Sequence, residues 1–194
     1  DSSTGRVLLL ANDPEAVTIT ATSIPNGVTG TDSFFCNLDP DVEDVDLGQT
    51  SGAAQSSVGV GDEFDVPVRI NTGSTSLGSI DLTVLYDASK LQAVSVTAGS
   101  GWPSNSQLVP TLDDPPGEVL FGGALEGSGI SGVKTIAVVR FRVLAGASAG
   151  EELSLGGRVT TMADLSGGLI GAEGRSFVAG AIDVVVDGAR RRRS

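Results

Sequence analysis

Apolar and polar residues alternate in short runs from about residue 45 to residue 188. In "EFDVPVRI", Phe64, Val66, Val68 and Ile70 fall on one side of an extended chain, because successive strand residues point to opposite faces. Gly, Pro, Asn and Asp separate such runs at fairly regular intervals, a pattern typical of a β-sandwich or barrel. No segment shows a sustained helical period. The pattern therefore predicts an all-β fold.

The run "SIDLTVLYD" has a particularly clear division into two faces. Its predicted core face holds Ile80, Leu82, Val84 and Tyr86. The opposite face holds Ser79, Asp81, Thr83 and Leu85, which are small or polar apart from the leucine. A face of this kind is either ordinary solvent-exposed sheet or a docking surface for a partner.

The first 44 residues form a separate region in this interpretation. The runs "GRVLLLA" and "AVTITATSI" predict short strands, which are too few to enclose a core. Residues 1–44 are therefore interpreted as a β-rich segment, the end of a preceding Ig-like module.

The run "DPDVEDVD" follows as an acidic hinge. Its carboxylates, Asp39, Asp41, Glu43, Asp44 and Asp46, are candidate calcium ligands, although the spacing differs from an EF-hand loop. The alternative is a solvated linker.

Charge and cysteine content narrow the range of partners. The 194-residue chain has a net charge of −12, which disfavours nucleic acid and anionic membranes, and no apolar run is long enough for a membrane helix. The one cysteine, Cys36, excludes an intrachain disulfide and is either a buried thiol or half of an interchain disulfide.

The basic tail, residues 189–194, contains Arg190, Arg191, Arg192 and Arg193. It is interpreted as a processing site, as an electrostatic contact to a neighbouring copy, or as a flexible tail.

Catalysis is not expected from this composition. The chain has no histidine, which excludes Ser–His and Cys–His nucleophiles, and "TLDDPPGE" is better explained as a turn than as a carboxylate pair. The loop "GWPSNSQ" leaves a carbohydrate-binding alternative open, because Trp102 could stack on a sugar beside Asn105 and Gln107.

The order of motifs from residue 45 to residue 188 resembles the cohesin domain. The resemblance rests on "VGVGDEFDVPVRIN", "LGSIDLTVLYDASKLQAVSVTAG", "GEVLFGGAL", "TIAVVRFRVLAGASAGEELSLGG" and "GAIDVVVDG". It implies a jelly-roll β-sandwich of about nine strands that is a binding module and not an enzyme. Cohesins of cellulosomes hold calcium-carrying dockerin modules on a flat sheet face. By this resemblance that face would include Ser79, Asp81, Thr83, Leu85 and Glu118, with Ser79 in place of a common asparagine.

The sequence therefore predicts a non-catalytic, extracellular or cell-surface cohesin-like module at residues 45–188. Its expected role is structural or adhesive, through contact with other protein modules in a surface or appendage protein. A dockerin-binding scaffoldin cohesin is the first alternative, and a carbohydrate-binding module is the second.

Overall fold

A computed structural model describes residues 13–23, 26–36, 39–48, 58–171 and 182–186. Contacts divide the chain into two compact units, one formed by Asp1–Asp39 with Gln49–Ala54 and the other by Pro40–Gly48 with Gln55–Ser194. In the described residues all regular structure is extended, and no helix there is long and apolar enough to cross a membrane.

The first unit contains one antiparallel hairpin, formed by β1 (Asp13–Thr22) and β2 (Thr29–Cys36). Gly27 adopts φ +67° in the connecting turn, a conformation that glycine adopts without steric cost. Threonines lie opposite one another across the hairpin, Thr20 with Thr31 and Thr22 with Thr29. The Ig-like origin of this segment stays a prediction.

The second unit is a sandwich of two antiparallel sheets. Its strands are β3 (Asp44–Leu47), β4 (Glu63–Asn71), β5 (Leu77–Leu85), β6 (Leu91–Ala98), β7 (Gln107–Leu112), β8 (Glu118–Ala124), β9 (Val133–Val143), β10 (Glu152–Asp164) and β11 (Ile182–Val185). The five-stranded sheet has the order β11-β10-β5-β8-β7, and the four-stranded sheet has the order β3-β4-β9-β6. The prediction of an all-β fold with about nine strands in this region is confirmed.

The alternation in the sequence correctly predicts the core faces. Val66, Val68 and Ile70 from β4 and Ile80, Leu82 and Val84 from β5 point inward and are fully or almost fully buried. Tyr86, which follows β5, packs across to the other sheet, because its ring centroid lies 5.1 Å from that of Phe141 on β9. Within that sheet, the Phe141 ring stacks on Phe64 at 5.8 Å between centroids. Burial of these branched and aromatic side chains supplies the main driving force for the sandwich.

Part of the acidic hinge belongs to the sandwich. Asp44 and Asp46 lie in β3, which pairs with β4, and they are only 2% and 5% exposed. Asp46 lies 3.9 Å from the guanidinium of Arg69, whose Nε donates a hydrogen bond to the Gly48 carbonyl. The prediction of a solvated linker is wrong for these two residues, because strand pairing and the charge partner Arg69 allow carboxylates to be buried.

The "YDASKL" interruption is a structural corner between β5 and β6. The Asp87 carboxylate accepts hydrogen bonds from the amide and the hydroxyl of Ser89, which hold its pKa below the ordinary value. Lys90 reaches the loop after β9, where its ammonium donates to the Gly146 carbonyl and lies 3.1 Å from Glu151. These contacts fix the corner to the loop between β9 and β10.

Candidate partner-binding face

The five-stranded sheet has an outer face, defined as the side turned away from the core. Residues opposite each other on antiparallel strands share a face, so the strand register gives its layout in rows from β10 across β5 and β8 to β7. One row is Ala163, Ser79, Ala124 and Gln107; the next is Thr161, Asp81, Gly122 and Val109; the third is Arg158, Thr83, Leu120 and Thr111. The middle of this face is therefore built of small side chains.

Asp81 is the exposed charge at the centre of the outer face. It makes no hydrogen bond or ion pair with any residue in the described part of the chain. A shallow depression of about 400 Å³ opens beside it and is lined by Ile80, Asp81, Val109, Thr111, Leu120, Phe121 and Gly122. The depression exists because Gly122 has no side chain between Asp81 and Val109.

The other predicted face residues differ in accessibility. Ser79 and Leu85 are partly exposed, as expected. Thr83 is only 1% exposed, so its prediction as a contact residue is wrong for this conformation. It lies on a central strand between the longer side chains of Arg158 and Leu120, which shield it from solvent.

Glu118 lies at one end of the outer face and is partly exposed. Its carboxylate is 3.4 Å from the Arg158 guanidinium, so this ion pair reaches across β5 from β8 to β10. Arg158 cannot be assigned to this face from the local residue pattern, because only the strand register brings it opposite Thr83. The paired glycines in "LFGG" were the available signal for the depression, since glycine within a strand often marks a missing side chain or a close approach.

Trp102 is not available for stacking on a sugar. The residue is 6% exposed, and its indole N–H donates to the Ser106 carbonyl at 3.1 Å. A Cβ atom on Gly123 would lie 2.5 Å from the indole ring, so the ring fills the space above that glycine. The carbohydrate hypothesis was wrong in its aromatic contact, although Asn105 and Gln107 are exposed.

The remaining candidate sites stay predictions. Within the described ranges, no three acidic, cysteine or histidine side chains form a group suited to a metal ion. The Asp44 carboxylate accepts a hydrogen bond from the Val45 amide at 2.8 Å. Calcium binding by the acidic run is thus untested. Cys36 ends β2, but its side chain lies outside the described atoms, and Arg190, Arg191, Arg192 and Arg193 lie outside the described residues.

The sandwich corresponds to a known protein family. The model of the cohesin domain matches residues 48–172, so the chain belongs to the cohesin family. No curated protein matches the chain. The family is that of a non-catalytic module for protein–protein interaction, and the resemblance inferred from the motifs is confirmed.

Solved structures share the fold at low sequence identity. The third cohesin of ScaC from Acetivibrio cellulolyticus, solved in complex with the ScaB dockerin, has a TM-score of 0.62 and 19% identity, over 74% of this chain and 98% of that one. A non-cellulosomal cohesin from the archaeon Archaeoglobus fulgidus has a TM-score of 0.57 and 20% identity, over 75% and 92%. A cohesin module from a Clostridium perfringens family 33 glycoside hydrolase has a TM-score of 0.52 and 17% identity, over 74% and 97%. The jelly-roll sandwich prediction is thereby confirmed.

Proposed function

We propose that this chain is an extracellular docking module that joins protein modules in a surface or appendage protein. The outer face of the five-stranded sheet is its contact surface. The observation that carries this proposal is Asp81, an exposed carboxylate without a partner in the described residues, at the centre of a face of small side chains. Small side chains let the backbone of a partner approach closely, and the single charge gives orientation.

The shape of the face favours a protein partner over a small ligand. Four neighbouring strands about 4.8 Å apart give a surface roughly 15 Å wide, which suits one element of a protein. The depression beside Asp81 is shallow, unlike the enclosed pockets that bury small molecules. Trp102, the indole that would stack on a sugar, is buried.

A dockerin is the second candidate partner. The ScaC cohesin from Acetivibrio cellulolyticus described above was solved with a dockerin, whereas the Archaeoglobus fulgidus cohesin is described as non-cellulosomal. Both partner types would use the same outer face in this chain. The structural role is preferred because the chain carries a second β unit in addition to the sandwich.

Site-specific cross-linking tests the proposed face. A photoreactive residue at Ser79, next to Asp81, should cross-link to a protein on cells that produce the parent polypeptide. The same residue at Thr97, an exposed position on β6 in the other sheet, is the matched control and should give no product. Products from Thr97 alone would mean that docking uses the four-stranded sheet, which contradicts this proposal.

The nature and location of the partner need separate measurements. Mass spectrometry of the cross-linked product would separate a dockerin from another copy or another β module. Protease added to intact cells should remove the module if it lies at the cell surface. Complete protection of the module from that protease would contradict the extracellular assignment.

A further inference from the structure

The depression on the outer face has a defined origin in one glycine. An ideal Cβ built on Gly122 would be 3.5 Å from the Ile80 carbonyl oxygen and 4.0 Å from the Asp81 Oδ1. These are ordinary contact distances, so the backbone does not require glycine at this position by close approach. The space above Gly122 is therefore open and is bordered directly by a carboxylate oxygen.

The walls of this space are apolar and its charge is of one sign. Val109, which is 55% exposed, lies opposite Gly122 on β7, and Leu120 lies on β8 one row away. Asp81 is the titratable residue among the lining side chains. The nearby Arg158 does not neutralise it, since its guanidinium is engaged with Glu118 at 3.4 Å.

We propose that the Gly122 depression is a subsite for one lysine or arginine side chain of the partner protein. The inference rests on the proposed function and names the chemistry of the residue that enters the outer face. The methylene stem would lie over Gly122 between Leu120 and Val109, and the cationic group would bind the Asp81 carboxylate. Lysine and arginine combine an apolar stem with a charged end, and so match both parts of the subsite.

Charge complementarity supports this choice of occupant. The whole chain carries a net charge of −12, so a basic partner surface is attracted before contact is made. An acidic side chain would be repelled by Asp81. A purely apolar side chain would cover the carboxylate without offering it a hydrogen bond, which is unfavourable.

Residue-sized probes test the subsite independently of any natural partner. The ¹⁵N-labelled chain would be titrated by NMR with the N-acetyl methylamides of arginine, lysine, norleucine and glutamate. Concentrations would extend to about 0.1 M, since one ion pair with a small apolar contact binds weakly. We expect saturable shifts of the Asp81, Gly122 and Val109 amides with the arginine and lysine probes, and little effect from the glutamate probe.

Two variants locate the interaction. Asp81→Asn keeps the shape of the side chain but removes the charge, and should weaken binding of the basic probes about threefold. Gly122→Val fills the space with a residue that suits a strand, and should abolish the shifts. Thr97→Val, on β6 of the other sheet, is the matched control and should bind like the original chain.

Several results would overturn the subsite. These are the absence of saturable shifts with the basic probes, equal binding of norleucine, or unchanged binding by Gly122→Val. Cross-linking through Ser79 could still succeed in each of these cases, which would leave the docking face intact and reject only the basic occupant. If the basic probes bind but Ser79 gives no cross-linked product, the docking function is rejected instead.

Discussion

Gly122 and Gly123 are neighbours on β8, yet they are glycines for different reasons. Gly122 points to the outer face, where an added Cβ meets only ordinary contacts. Gly123 points the other way, where an added Cβ would lie 2.5 Å from the Trp102 ring and 2.8 Å from the Gln107 carbonyl oxygen. One glycine leaves a surface open, and the other admits an indole to the core.

The two glycines should therefore respond oppositely to alanine. We expect Gly123→Ala to lower the free energy of unfolding by about 1–3 kcal/mol, because the indole must move in a packed interior. Gly122→Ala should be neutral or stabilising by up to about 1 kcal/mol, because alanine restricts the unfolded chain more than glycine does. Urea unfolding of both variants measures the difference, and equal effects would contradict the assigned packing.

The Tyr86 hydroxyl offers a second test of the core. Its oxygen is buried and has no hydrogen-bond partner among the described residues, while its ring packs edge-on against Phe141. A buried polar group without a partner is costly, and phenylalanine keeps the ring. Tyr86→Phe should leave the free energy of unfolding unchanged or raise it by about 1 kcal/mol. A clear loss of stability would reveal a hydrogen bond to the hydroxyl.

Residue burial was only partly predictable from the sequence. Alternation assigned Thr83 to the polar face, and the register confirms that side, but the neighbours Arg158 and Leu120 bury it. The sequence places Trp102 in the loop "GWPSNSQ", where it could stack on a sugar beside Asn105 and Gln107. Its burial depends on a glycine of another strand, which no local pattern reports.

At the level of elements, β4 and β9 are joined by ion pairs on their exposed side. Asp65 accepts two hydrogen bonds from the Arg140 guanidinium, at 2.7 and 2.8 Å, and Glu63 pairs with Arg142. Arg140 and Arg142 are two residues apart on β9, so their side chains share one face of the strand. Their partners follow only from the strand register, in which Asp65 lies opposite Arg140 and Glu63 opposite Arg142.

The Asp65–Arg140 pair predicts a pH dependence of stability. Hydrogen bonds from Arg140 hold the pKa of Asp65 below its ordinary value, despite an opposing effect of burial. The pair thus stabilises the fold above the unfolded-state pKa, and this contribution is lost as the pH falls through the lower folded-state pKa. Asp65→Asn should lower the thermal midpoint slightly at pH 7, since about half of each side chain is exposed.

The same comparison at low pH provides the control. As the pH falls toward 2, Asp65 of the original chain also becomes protonated. The thermal midpoints of the original chain and of Asp65→Asn should therefore move closer together. A difference that stays constant from pH 7 to pH 2 would mean that the charge of Asp65 does not contribute. The effect would then come from the shape of the substituted side chain.

Local patterns predicted most strands of the sandwich, but not β7 and not the burial of the carboxylates in the acidic run. Most of the strands from β4 to β10 have alternating residues and turn residues at their ends, which are local signals. β3 is short and contains Asp44 and Asp46, which local propensity disfavours in strands. Its pairing with β4 and the distant Arg69 decide its structure, and neither is visible in the residues around it.

On the scale of the whole molecule, the core of the sandwich is drawn from the second unit. Among the residues that the structure describes, the buried apolar residues of its core cluster lie between Val45 and Val186. The first unit contributes a two-stranded hairpin, which is marginal in isolation. The outer face with Asp81 and Gly122 is also formed entirely within the second unit. Folding and docking are therefore expected to depend on the second unit alone.

Two fragments test this division and the role of β3. The fragment 40–188 keeps β3 and the hydrogen bond from the Asn71 side chain to the Pro40 carbonyl, and should unfold within a few degrees of the whole chain in calorimetry. The fragment 49–188 lacks β3, so it loses the burial of Val45 and Leu47 and leaves Arg69 without Asp46. Removing one partner of a buried ion pair costs about 3–5 kcal/mol, enough to consume much of the stability of a domain. If 49–188 were as stable as 40–188, β3 would be an attachment and not a strand of the sandwich core.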